Sequence, residues 1–104
     1  MKGPSYFLSE AAEEDLRGII RYTVKQHSRV QAIKYSAQIE RCAEHLANGK
    51  QHFRELPDIH PALRYTKCEH HFLFGLFRED RPMIIIAIFH ERMDLIQRVA
   101  NRLK

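Results

Sequence analysis

A chain of 104 residues, 44% apolar and 29% charged, has room for one hydrophobic core and too little length for two ordinary domains, so a single domain over 1–104 is expected. Seventeen Lys and Arg against 13 Asp and Glu leave a formal charge of +4. That mild bias suits an acidic partner and permits direct nucleic-acid binding without requiring it. The composition excludes a disordered or low-complexity chain, and the longest apolar run falls well short of the roughly 20 residues that span a bilayer.

The opening residues Met1-Lys2-Gly3-Pro4 lead into no long apolar stretch of the kind that directs secretion, so the expected location is the cytoplasm. Tyr6-Phe7-Leu8 reads as a short strand, and Ser9 offers its hydroxyl to cap the helix that follows. Glu10, Glu13, Glu14 and Asp15 sit at the positive end of the helix dipole, while Ala12, Leu16, Ile19, Ile20 and Thr23 keep an apolar stripe at helical spacing. Arg17, Arg21 and Lys25 recur every fourth residue beside that stripe and form a basic row.

His27-Ser28-Arg29 breaks the pattern. A second helix carries Ala32, Tyr35, Ile39, Cys42, Ala43 and Leu46 on one face and stops at Asn48-Gly49. So short a break predicts an antiparallel helical hairpin whose apolar side needs a sheet to cover it. With only Cys42 and Cys68 in the chain, no disulfide framework is expected, and Cys42 reads as a small buried hydrophobe.

Gly49 to Pro61 reads as a polar loop. Three strands follow, Leu63 to Cys68, Phe72 to Phe77 and Met83 to Phe89, the last two joined by the turn Glu79-Asp80-Arg81-Pro82 into an antiparallel hairpin. Phe72, Phe74 and Leu76 share one strand face, Leu73 and Phe77 the other. The unbroken run Met83-Ile84-Ile85-Ile86-Ala87-Ile88-Phe89 fits a strand buried on both faces. From Asp94 onward Leu95, Ile96, Val99 and Leu103 return to helical spacing, with Arg98, Arg102 and Lys104 placed outside. Asp94 is a candidate for the cap of that helix. The expected fold is α+β: an N-terminal strand, a helical hairpin packed on a small antiparallel sheet, and a short C-terminal helix, in the order β-α-α-β-β-β-α.

The charged group His90-Glu91-Arg92-Met93-Asp94 issues directly from the buried strand, a rigid support that suits a recognition or catalytic site. That segment within Ile88 to Leu95, the stretch Leu8-Ser9-Glu10-Ala11-Ala12-Glu13-Glu14-Asp15-Leu16-Arg17-Gly18-Ile19-Ile20-Arg21-Tyr22-Thr23 and the motif Pro61-Ala62-Leu63-Arg64 together resemble the ParE toxins of the RelE/ParE superfamily, over nearly the whole chain. The resemblance implies the toxic half of a type II toxin–antitoxin system: a non-enzymatic poison of DNA gyrase, silenced by a ParD-type antitoxin whose acidic C-terminal segment wraps the toxin. No cofactor and no metal are expected. On this reading His90, Glu91, Arg92, Met93, Asp94 and Arg64 contribute to the gyrase contact. Arg17, Arg21, Lys25, Phe72 and Phe74 are candidates for the antitoxin.

RelE relatives of the same superfamily cleave mRNA on the ribosome, which is the alternative function. Cleavage by 2′-OH attack needs a proton acceptor, a donor and cations for the developing phosphate charge. Arg64, Lys67, Arg78, Arg81, His90 and Arg92 are the available groups, and no Tyr follows Tyr65. Cys68 and His70 alternate onto one strand face, but two ligands fall short of the usual four of a zinc site, so they are expected to be polar residues at a strand end.

Overall fold

The computed structural model describes residues 3–104; Met1 and Lys2 of the opening segment lie outside them. The elements run β1 (Tyr6–Leu8), α1 (Glu10–Gln26), α2 (Arg29–Asn48), β2 (Arg54–Glu55), β3 (Leu63–Cys68), β4 (His71–Leu76), β5 (Met83–His90) and α3 (Leu95–Arg102).

Each helix of the hairpin starts where a serine satisfies an orphan amide. Ser9 Oγ accepts from Ala12 N at 3.1 Å and Ser28 Oγ from Gln31 N at 3.0 Å. α2 stops at Gly49, whose φ of 70° is the left-handed conformation that a residue with a Cβ adopts at a cost.

The sheet has five strands in the order β1-β5-β4-β3-β2. The pairs among β2, β3, β4 and β5 are antiparallel, as expected, but β1 lies parallel to β5, with Tyr6 opposite Met83 and Leu8 opposite Ile85. The helical hairpin carries the chain from β1 to the far edge of the sheet at β2, and three successive antiparallel reversals then bring β5 back parallel to β1. β2 falls inside the stretch expected to be loop. It is two exposed residues at the sheet edge, too short to carry an alternating pattern. β4 also begins one residue earlier than expected, at His71, and ends before Phe77.

β5 is central and covered on both faces, as its composition predicts. Met83, Ile85 and Ile88 pack under the helical hairpin with Ala12, Ile39, Ala43, Leu46 and Leu73. Ile86, Ala87 and Phe89 join Leu63, Phe74 and Val99 on the opposite face. A bulge where Phe74 pairs with Ala87 and Gly75 with Ile85 puts one extra residue, Ile86, into β5, so two consecutive residues serve the same layer. Glycine at 75 leaves room for Met83 on the facing strand: a Cβ there would lie 2.8 Å from Met83 Sδ and make that side chain shift.

Two expectations need correction. Cys42 and Cys68 form a disulfide, with Cα atoms 6.2 Å apart and a sequence separation of 26. α2 and the end of β3 meet only in the folded chain, so spacing alone gave no sign of the pairing; closing such a loop contributes about 3.5 kcal/mol in the chain-entropy account. Ile96 is 52% exposed, because the buried stripe of α3 runs through Leu95, Val99 and Leu103 instead. Arg102 is an exposed residue, as expected, but its guanidinium turns inward.

Arg102 reaches from α3 around the end of β1 to Asp15 of α1. Its Nη2 lies 3.3 Å from Asp15 Oδ1, its Nη1 donates to Ile86 O at 3.1 Å, and Asp15 Oδ2 accepts from Ile88 N at 3.0 Å. The guanidinium also stacks 4.7 Å from the Phe89 ring centre. Beyond Leu8, β5 has no strand on its β1 side, and these two side chains occupy that edge. Their side chains are only 28% and 17% exposed, so removing one strands the other. Asp15→Ala is expected to cost about 2–3 kcal/mol. In urea unfolding, Asp15→Ala/Arg102→Ala should cost less than the sum of the single substitutions; additivity would rule out the coupling.

Candidate functional site

The ends of β3, β4 and β5 lie side by side, with Cys68 opposite His71 and His71 opposite His90. Three positions of α2 at helical spacing grip this end from one side. Tyr35 Oη is 2.6 Å from His71 Nδ1 and accepts from His70 N at 3.2 Å, Gln38 Nε2 donates to Glu69 Oε1 at 2.7 Å, and Cys42 bonds to Cys68. Glu69 has a φ of 57°, a conformation that costs a residue with a side chain on the order of 1 kcal/mol. The contacts to α2 hold it there.

On the outer side, Glu91 forms the centre of a charged group. Its Oε1 is 3.1 Å from Lys67 Nζ, its Oε2 is 2.9 Å from His70 Nδ1, and its amide donates to His70 O at 2.9 Å. The His70 hydrogen bond, then that from Lys67, holds the Glu91 carboxyl down at about 2. It is therefore an anion with its neighbours already arranged. His90 Nδ1 accepts from Arg92 N at 3.1 Å and His90 O from Met93 N at 3.0 Å, which folds the chain into a tight turn before α3. Arg92, Met93 and Asp94 are exposed on that turn. Asp94 occupies the cap position of α3 through its backbone, and its side chain makes no capping bond.

The expected contact residues thus divide. His90, Glu91, Arg92, Met93 and Asp94 are contiguous in space. Arg64 is not with them: it aligns through Gly75 with Ile85, five positions before His90, or roughly 17 Å at about 3.3 Å per residue. Its guanidinium lies between the Phe53 and Phe77 rings, 4.0 and 3.8 Å from their centres, and donates to Leu46 O at 3.2 Å. Burial pushes its pKa down. Arg78 is likewise engaged, donating to Pro82 O at 2.8 Å. The cations considered for phosphate chemistry are therefore spread over both ends of the sheet. In the disulfide-bonded form Cys68 offers no thiolate to a metal pair with His70.

Of the expected antitoxin contacts, Arg17 and Arg21 already pair with Glu14 at 2.9 and 3.4 Å, and Lys25 is exposed in the last turn of α1. Phe74 is 1% exposed and lies beneath Phe72 and Tyr65. Phe72 and Tyr65 instead line an open groove of about 510 Å³ with Phe53, Arg54 and Lys67. Sequence reasoning passed over Tyr65 and His70: the first was one more apolar strand residue, the second half of a metal pair. The signal for His70 was its adjacency to a strand end facing Glu91, which required the register.

This architecture, an α-helical hairpin on one sheet face and a short helix on the other, recurs in a solved structure. That structure, described as the chromosomal ParDE TA system from P. aeruginosa, superposes with a TM-score of 0.65, covering 84% of this chain and 95% of that one, at 18% identity. Toxin ParE of Escherichia coli is 46% identical over 100 residues, 96% of this chain and 97% of the relative. The family described as "ParE toxin of type II toxin-antitoxin system, parDE" matches residues 6–95. The chain belongs to that family.

His71 lies where burial, followed by the proximity of His90 and His70, depresses its pKa from 6.5 to about 4, with Glu91 opposing. Between those values the unfolded chain binds a proton that the folded chain does not, so stability rises with pH. The His71 contribution should be fully present above about pH 6.5 and lost as pH falls to about 4. Comparing urea midpoints at pH 7 and pH 4.5 for the wild type and His71→Gln checks this, the variant showing the smaller pH dependence.

Proposed function

We propose that this ParE-family toxin arrests bacterial growth in the cytoplasm by docking as a folded body onto DNA gyrase, performing no catalysis of its own, and that a ParD-type antitoxin neutralises it. The observation that carries the reading is the preformed group at the strand ends. Lys67 and His70 both contact the Glu91 carboxylate there, and Arg92 and Met93 project beside them. Such a surface needs little further ordering on engagement, which favours a stable complex with a large partner. An exposed Arg beside an exposed Met also matches the composition of protein–protein contacts, where both are enriched.

The antitoxin reading rests on the adjoining surface, which shares Lys67 with the strand-end group. The groove between Tyr65 and Phe72 is aromatic, opens beside β3 past the end of β2, and has Lys67 and Arg54 at its margin. An extended segment carrying apolar and acidic side chains fits that combination, the apolar ones supplying affinity and the charges steering association. Arg17 and Arg21, which share the Glu14 carboxylate, are weaker candidates.

The discriminating experiment is a purified supercoiling and cleavage-complex assay, with a ribosome-dependent mRNA cleavage assay in parallel. Accumulation of gyrase-linked broken DNA and loss of supercoiling, reversed by the antitoxin, is the expected result. RNA cleavage with undisturbed gyrase would falsify the proposal in favour of a RelE-like endonuclease. Arg92→Ala should weaken gyrase inhibition by about tenfold, as for a contact worth about 1.4 kcal/mol, and His90→Ala by less. Both should retain antitoxin binding. Phe72→Ala should show the reverse pattern, with titration against the antitoxin as the readout.

A further inference from the structure

The geometry points to Cys42 and Cys68 as a reversible thiol–disulfide clamp that stiffens the turn between β3 and β4, and with it the charged group at the strand ends. Its conditional character rests on the cytoplasmic location proposed above, where thiols are kept reduced and a disulfide closes only under oxidation.

Both states have a place in the fold. The Cα atoms are 6.2 Å apart, within the range a disulfide spans. Cys68 Sγ also lies 3.5 Å from the carbonyl oxygen of Gln38, an acceptor available to the Cys68 S–H in the reduced form. Opening the bond therefore gives the more deeply buried Cys68 thiol a partner, and the two sulfurs need only separate from bonding to van der Waals distance. The sulfurs differ in access: Cys68 is 2% exposed, whereas Cys42 is only partly buried. A small thiol or disulfide reagent reaches Cys42 first.

That asymmetry sets the order of events with a low-molecular-weight disulfide such as oxidised glutathione. The Cys42 thiolate attacks one sulfur of the reagent, forming a mixed disulfide and expelling one thiolate. The Cys68 thiolate then attacks the Cys42 sulfur, closing the protein disulfide and expelling the second. Two protein thiols are oxidised, one reagent disulfide is reduced to two thiols, and the two protons pass to the leaving groups. Reduced glutathione reverses the sequence, beginning at Cys42.

The mechanical consequence follows from position. Cys68 is the last residue of β3, immediately before Glu69 in its left-handed conformation and His70 on the Glu91 carboxylate. Without the disulfide, the turn is tied to α2 by hydrogen bonds of Tyr35 and Gln38. The covalent link adds a tie that cannot fray, so local opening of the turn becomes rarer. The redox state thereby sets how firmly Lys67, His70 and Glu91 are held as one group.

Protein equilibrated across glutathione mixtures, acid-quenched, alkylated with maleimide and weighed intact gives the first readout. Two labels in reducing mixtures and none in oxidising ones are expected, with a transition between them. Hydrogen exchange of the amides at Glu69, His70 and His71 gives the second, slowing by about tenfold or more in the oxidised form. Cys42→Ser and Cys68→Ser should each remove the redox dependence of exchange while staying folded. Two labels at every mixture would overturn the clamp, as would none even in a pool as reducing as cytoplasm, which would mark a permanent staple. Equal exchange in both forms would remove its mechanical role. Gyrase takes no part in these measurements, so their outcome is independent of the fate of the gyrase-docking reading.

Discussion

Strand β5 is apolar along nearly its whole length, and the rest of the molecule is arranged to keep it from water. The helical hairpin covers one face and α3 with the 56–59 segment the other. Neighbouring strands cover both edges at its start, but β1 is too short to protect the edge beyond Ile85. Arg102 and Asp15 finish the task with side chains, bonding the backbone at Ile86 and Ile88 while neutralising one another. One ion pair thus joins both layers to the strand they enclose. Unpaired backbone at a sheet edge invites association with foreign strands, and a buried charge is tolerated only with its partner. Both problems are resolved by the same two residues.

The candidate site inherits its rigidity from that core. His90 continues a strand whose preceding residue, Phe89, is 4% exposed, and the register brings His71 and Cys68 alongside. α2 contributes through Tyr35, Gln38 and Cys42, spaced so that one helix face meets one strand end. The charges outside are consequently held by a framework that opposes their motion. Depression of the Glu91 carboxyl to about 2 is the electrostatic expression of that order, since it reflects donors from His70 and Lys67 already in place.

Arg64 illustrates how a surface charge becomes a structural one. Its family-like motif with Pro61, Ala62 and Leu63 suggested a recognition role, but its plane is held between two phenyl rings and one α2 carbonyl. A guanidinium suits such a place, because it stacks on aromatic faces and is more weakly hydrated than an ammonium. It links the β2 side of the sheet to the hairpin, at the end opposite the charged group. The fold therefore leaves two adjoining surfaces that share Lys67, the strand-end cluster and the Tyr65–Phe72 groove.

Local order was legible in the chain. The Ser9 and Ser28 caps, the Gly49 stop, the apolar stripes of α1 and α2 and the doubly buried β5 all follow from steric and hydrogen-bonding rules that act over a few residues. The placement of His90 to Asp94 at the end of β5 followed as well, because it needed only the strand before it. What tertiary structure alone decided are relations between distant segments: the parallel docking of β1, the two-residue β2, the Cys42–Cys68 bond, the Arg102–Asp15 pair and the removal of Arg64 from the strand-end group. Each depends on register and on which faces meet. Those are set by the whole chain satisfying its buried groups at once, and sequence spacing carries no record of them.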